Sequence, residues 1–129
     1  MAIGLSEGFR TLEVGDKQVL TISASSYDER LATAKVTFTD PDRGGSCTET
    51  FRFGHGPQRS RGQQVALDIY STLAKYALHN WELETVEPED LVDTLIVADV
   101  YKQEVTNEET GATSFYTHVR NFKEYRDDE

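Results

Sequence analysis

Five stretches of strand-like alternation, with one stretch of helical period between the third and fourth, predict a mainly β protein. That element order is the order of an OB-fold-like five-stranded Greek-key barrel whose helix plugs one end. A two-sheet α+β arrangement is the alternative. The chain has 129 residues and 37% hydrophobic composition, which fits one globular domain able to bury roughly two-thirds of the surface its unfolded chain exposes.

Each element has a local reason. Residues 1–16 carry Gly4, Gly8 and Gly15 and read as an irregular N-terminal lead-in, before an OB-like domain at 17–123 and a short acidic end at 124–129. In residues 18–24, Leu20, Ile22 and Ala24 alternate on one face, the period-two signature of a strand. A polar connection at 25–30 leads to residues 33–39, where Ala34, Val36 and Phe38 oppose Lys35, Thr37 and Thr39. The run Asp40-Pro41-Asp42-Arg43-Gly44-Gly45 is a turn, because Pro presets φ and Gly supplies positive φ. Residues 47–53 form the third strand, with Phe51 and Phe53 opposite Thr48, Thr50 and Arg52.

The period then changes. After a loop at 54–59, Ser60 followed three residues later by Gln63 is a capping box, which satisfies free N–H groups at a helix start. Val65, Ile69 and Leu73, with Ala66 and Tyr76, then recur at helical spacing as far as His79-Asn80. The acidic stretch 81–93 holds Pro88 and allows a short helical turn at 88–91. In the fourth strand Ile96, Ala98 and Val100 face inward, since the opposite register would bury Asp99. Residues 106–111 form a hairpin loop. The fifth strand, 114–122, sets Phe115, Thr117 and Val119 against Tyr116, His118 and Arg120.

Composition excludes several classes. A single Cys rules out an internal disulfide framework and a Cys-based zinc site. Cys47 shares a face with Phe51 and Phe53 and reads as a buried structural thiol. His55, His79 and His118 lie on three different elements without ligand spacing, so no metal site is expected. Gly54-His55-Gly56 lacks the Gly-Lys-Ser/Thr ending of a phosphate loop. No enzyme signature and no cofactor motif is present. The longest aliphatic run, residues 95–98, is far short of the ~20 residues needed to span a bilayer, so no membrane association is expected. The first residues show no basic n-region, and a cytoplasmic location in a bacterial host is the expectation.

Charge is unevenly placed. The formal net charge is −10, yet residues 1–65 hold eight basic and eight acidic residues, so the whole deficit follows Val65. Between Arg43 and Arg61, four arginines (Arg43, Arg52, Arg59 and Arg61) face Glu49 alone. Binding responds to such a local field more than to the total.

The run from Leu12 to Ile22, the aromatic strand Phe51-Arg52-Phe53, the helix over 63–78, the lead Asp90-Leu91-Val92-Asp93 and the closing 116–122 together resemble phage-encoded, single-stranded-DNA-binding-like OB-fold proteins. The resemblance covers roughly residues 12–123 and rests on hydrophobic pattern. It implies a non-enzymatic single-stranded DNA-binding protein acting in phage replication or recombination. The flexible acidic tail with an apolar tip, found in bacterial single-strand-binding proteins, has no counterpart in residues 127–129.

Single-stranded nucleic acid is held by cations tracking phosphates and by aromatic rings beneath bases. The expected interface therefore comprises Arg43, Arg52, Arg59, Arg61, Tyr101, Tyr116, His118 and Arg120, with Tyr27 and Arg30 in the first connection. Glu104, Glu108 and Glu109 in the last connection oppose it. The competing expectation is a protein-interaction or assembly module that contacts partners through its acidic half, including Trp81. A homo-oligomer through an exposed strand edge is compatible with either.

Overall fold

The computed structural model describes residues 2–3, 12–57 and 59–126; the expectations placed on Gly4, Gly8 and residues 127–129 lie outside them. The elements follow the expected order: β1 (Gly15–Asp28), β2 (Thr33–Thr39), β3 (Ser46–Arg52), α1 (Arg61–Ala77), a 3₁₀ turn at Pro88–Leu91, β4 (Leu95–Thr106) and β5 (Thr113–Glu124). All strand pairs are antiparallel in one sheet of order β3-β2-β1-β4-β5. The two-sheet alternative does not occur.

β1 is longer than the alternation suggested and changes partner along its length. Gly15 to Thr21 pairs with β4, and Thr21 to Asp28 pairs with β2. A bulge between Ile22 and Ala24 marks the change. One extra residue inverts the alternation, so Leu20 and Ile22 are buried while Ala24 is exposed, contrary to the single face expected for the three. Leu12, placed in the irregular lead-in, is 2% exposed and belongs to the core.

The mainly β architecture of five strands and one helix is as expected, but the sheet does not close into a barrel: among the described residues no backbone ladder joins the edge strands β3 and β5. Side chains bridge the seam instead. The Glu49 carboxylate accepts the Val119 N–H at 2.7 Å, and the Cys47 thiol donates to the Thr117 carbonyl at 3.1 Å. A carboxylate on β3 thus occupies the position that a backbone carbonyl would take in a ladder.

α1 covers this seam. Its capping box is present: Ser60 Oγ accepts from Gln63 N at 3.2 Å, and Gln63 Oε1 accepts from Ser60 N at 2.8 Å. Gly54, at φ 68°, lies so close to the Gln63 amide that a Cβ there would collide with it. The helix face differs from expectation. Tyr70, Leu73, Ala74 and Ala77 are buried, whereas Val65 and Ile69 are 48% and 43% exposed. Tyr70 meets Phe51 and Phe53 edge-on, with ring centroids 5.6 and 5.2 Å apart, and this contact sets the rotation of the helix. Phe38 stacks on Phe122 across the core at 5.4 Å. Phe115, expected on the inward face of β5, is 64% exposed because the strand there projects beyond the core. No helix is long and apolar enough to cross a membrane among the described residues.

Candidate functional site

β4 and β5 pair so that Tyr101 lies opposite His118, Gln103 opposite Tyr116, and Asp99 opposite Arg120. Period-two alternation puts these residues on the face opposite Ala98, Val100 and Val119, which are buried. The face is organised around Tyr101. The Arg120 guanidinium lies 3.9 Å from the Tyr101 ring centroid and donates to its hydroxyl. The His118 ring sits 5.5 Å from that of Tyr101, tilted by 30°. One His118 nitrogen meets Gln103 Oε1 at 2.8 Å and the other meets Glu49 Oε1 at 3.2 Å. Tyr116 is 54% exposed at the outer end of the row.

A bulge holds Arg120 in place. The β4–β5 register shifts between Val97 and Asp99, and Asn121 adopts φ 58°, a left-handed conformation that Asn tolerates. Its side-chain amide donates to Asp99 at 2.8 Å. Asp99 also accepts the Lys17 N–H at 2.8 Å, and these two bonds, the Lys17 amide foremost, hold its carboxyl below the ordinary range.

Beside this face, a groove of about 690 Å³ runs between α1 and the β3–β5 seam. Phe51, Val65, Ile69, Val119 and Phe122 supply its apolar surface, and Thr50, Asp68, Tyr101 and Arg120 its polar border. Arg61 lies one turn before Val65 and therefore shares that helix face.

The arginines expected to form one patch are dispersed. Arg43 is built into the β2–β3 turn. Its Nε donates to Asp40 at 3.0 Å, and its terminal nitrogens reach Glu13 and Gln18. Arg59 closes the following loop by donating from Nε to the Phe53 carbonyl at 3.1 Å. Arg52 is exposed on β3 and Arg61 on the first turn of α1. Arg52 follows Thr50, which borders the groove together with Arg120. The structure thus brings Tyr101, Tyr116, His118 and Arg120 together, sets Arg52 and Arg61 near the groove by position, and engages Arg43 and Arg59 in loop architecture. Tyr27 stacks on Phe53 at 6.0 Å, and Arg30 lies in the β1–β2 connection.

Other residues weighed in the sequence make local contacts. Cys47 is buried, and burial, with Glu49 second, pushes its thiol up to about 11. It is a structural thiol. His55 meets the Arg30 carbonyl at 3.3 Å and His79 meets Glu124 at 3.4 Å. No group of three or more His, Cys, Asp or Glu among the described residues could hold a metal ion.

Two participants escaped the sequence reading. In the sequence Glu49 is only the lone acid among arginines, because its partners lie 69 and 70 residues away. Gln103 carries no signal beyond its place opposite Tyr116. Comparison with known proteins finds no matching family model, no matching curated protein and no matching solved structure.

Proposed function

We propose that this chain is a non-enzymatic, OB-like single-stranded DNA-binding protein of the phage type, acting in replication or recombination. The observation that carries the reading is the row Tyr116, His118, Arg120 on β5, with Tyr101 beneath the guanidinium. A guanidinium plane and an exposed tyrosine are both platforms on which an unstacked base lies, each base stack being worth about 1–3 kcal/mol. The Tyr101 hydroxyl orients Arg120 and leaves further donors of its fork for a phosphate. Glu49 and Gln103 fix the His118 ring against Tyr101. Arg52 and Arg61 extend positive charge toward the groove, so a strand crossing the seam between β3 and β5 meets cations on both sides. An OB-fold is a partly open barrel that binds oligonucleotides on its strand face. The open seam is compatible with that family of shapes.

The test is a titration of fluorescently labelled oligo-dT with the wild-type chain. Binding is expected at about 50 mM salt, where phosphate contacts are strong. Tyr116→Ala and Arg120→Ala should each weaken it by about 1–3 kcal/mol with an unchanged circular dichroism spectrum. No binding by the wild type, or full affinity in both variants, overturns the assignment.

A second reading has its own observation. Val65 and Ile69 are exposed beside the groove, an arrangement that suits an assembly module whose partner lays an apolar segment there. It predicts that Val65→Asp abolishes partner capture while oligo-dT has no effect.

A further inference from the structure

We propose that the free edge of β5 pairs with the same edge of a second copy of this chain, antiparallel, about a two-fold axis at Ser114. β5 is an edge strand whose only ladder partner among the described residues is β4. Its backbone parity is fixed by three bonds. The Val119 N–H and the Thr117 carbonyl both point to the β3 side, whereas the Ala112 carbonyl points to β4 and accepts from Asn107. Successive residues of a strand direct their N–H and C=O groups to alternate sides. Thr113 and Phe115 therefore direct theirs away from β4, past the point where Glu49 and Cys47 cover the edge.

The composition of this edge lacks the usual defences. Residues 111–117 read Gly-Ala-Thr-Ser-Phe-Tyr-Thr, with no charge and no Pro. Native edges are normally blunted by Lys, Pro or bulges. The bulge on β5 and its charged residues all lie after Thr117. Residues 102–116 are exposed on both faces, so the end of the hairpin is a two-stranded ribbon, which is marginally stable in water by itself. It nevertheless presents Phe115 and Tyr116 at 64% and 54% exposure.

The register follows from the same parity. With the axis at Ser114, Thr113 of each copy faces Phe115 of the other, and each such pair exchanges both N–H···O bonds. The two Phe115 rings become diagonal neighbours on one face, within reach of each other. Tyr116, His118 and Arg120 of both copies then share the opposite face, doubling the surface described above. The pairing needs no nucleic acid, and its failure leaves the DNA-binding reading untouched.

The axis residue supplies the test. Ser114 meets its own copy as a non-hydrogen-bonded pair, with Cα atoms about 4.5 Å apart. A disulfide spans Cα separations of about 4.4–6.8 Å. Full-length Ser114→Cys should convert to a disulfide-linked dimer under mild oxidised glutathione, without DNA. Glu104→Cys, exposed on β4 of the same ribbon, should form no disulfide-linked dimer. Buried Cys47 gives no background. Sedimentation velocity of the wild type should show a dimer. Thr113→Pro, which removes an N–H the β4 ladder does not use, and Phe115→Lys should each shift it to monomer with the fold retained. Equal cross-linking at positions 104 and 114, a monomeric wild type, or a dimer that survives both substitutions overturns the proposal.

Discussion

Asp40 shows how a single carboxylate organises a turn that sequence reads as basic. It is 6% exposed. Its Oδ1 accepts the N–H groups of Asp42 and Arg43 at 2.9 and 3.0 Å, while Oδ2 accepts Arg43 Nε. The Arg43 backbone bond leads, with Asp42 N–H and the Arg43 side chain adding to it, in holding this carboxyl below its ordinary value despite burial. Asp40→Ala leaves two turn amides without their acceptor and should destabilise the chain by about 1–3 kcal/mol in urea denaturation. The sign of the pH dependence follows from the depressed value. The ionised form is favoured in the folded state, so its contribution is fully present above the unfolded carboxylate pKa near 4. It is lost as pH falls through the lower folded value. Wild-type stability should therefore drop on acidification below about pH 4 more than that of Asp40→Ala; parallel curves would show that Asp40 carries no such linkage. Arg43 looked like a free cation because its composition window held one acid. Asp40 and Glu13, its actual partners, both lie outside that window.

At the scale of elements, β2 matches its expected bounds end to end, because a seven-residue strand packed on one face alternates without interruption. The capping box placed the start of α1 correctly for a similarly local reason. What failed needed tertiary information. The helix stripe Val65, Ile69, Leu73 is a valid 3.6-period face, but Tyr70 supplies more apolar area on the neighbouring face and meets two phenylalanines of the third-strand region. Rotation toward Tyr70 leaves Val65 and Ile69 at the groove. Bulges in β1 and β5 were likewise invisible, since one extra residue has no signature in a polar strand. The face that buries Leu73 can be checked against the one that exposes Ile69. Leu73→Ala should cost about 2–5 kcal/mol. Ile69→Ala should cost about 1 kcal/mol or less, since half-exposed apolar area contributes little. Equal losses in urea denaturation would return the stripe to the core.

For the whole molecule, the net charge of −10 constrains the single-strand binding proposed above. Arg43 and Arg59 are committed to loops, so few cations remain near the Tyr101–Tyr116 face: Arg120, with Arg52 and Arg61 by position. A protein that neutralises Z phosphates of a single strand loses affinity with salt at a logarithmic slope of about −0.7Z. Two or three contacts give a slope of about −1.4 to −2.1, shallow beside that of a basic nucleic-acid binder. On that proposal the remaining affinity comes from stacking, which salt barely screens. Duplex DNA keeps its bases stacked and presents mainly phosphate, so against an acidic surface it should bind far more weakly than oligo-dT of equal length. The same titration, run across a salt series on both substrates, reads both quantities. A steep slope, or duplex binding equal to single-strand binding, would mean that cations rather than rings carry the contact. The site would then have to lie away from β5, around the arginines at 52 and 61.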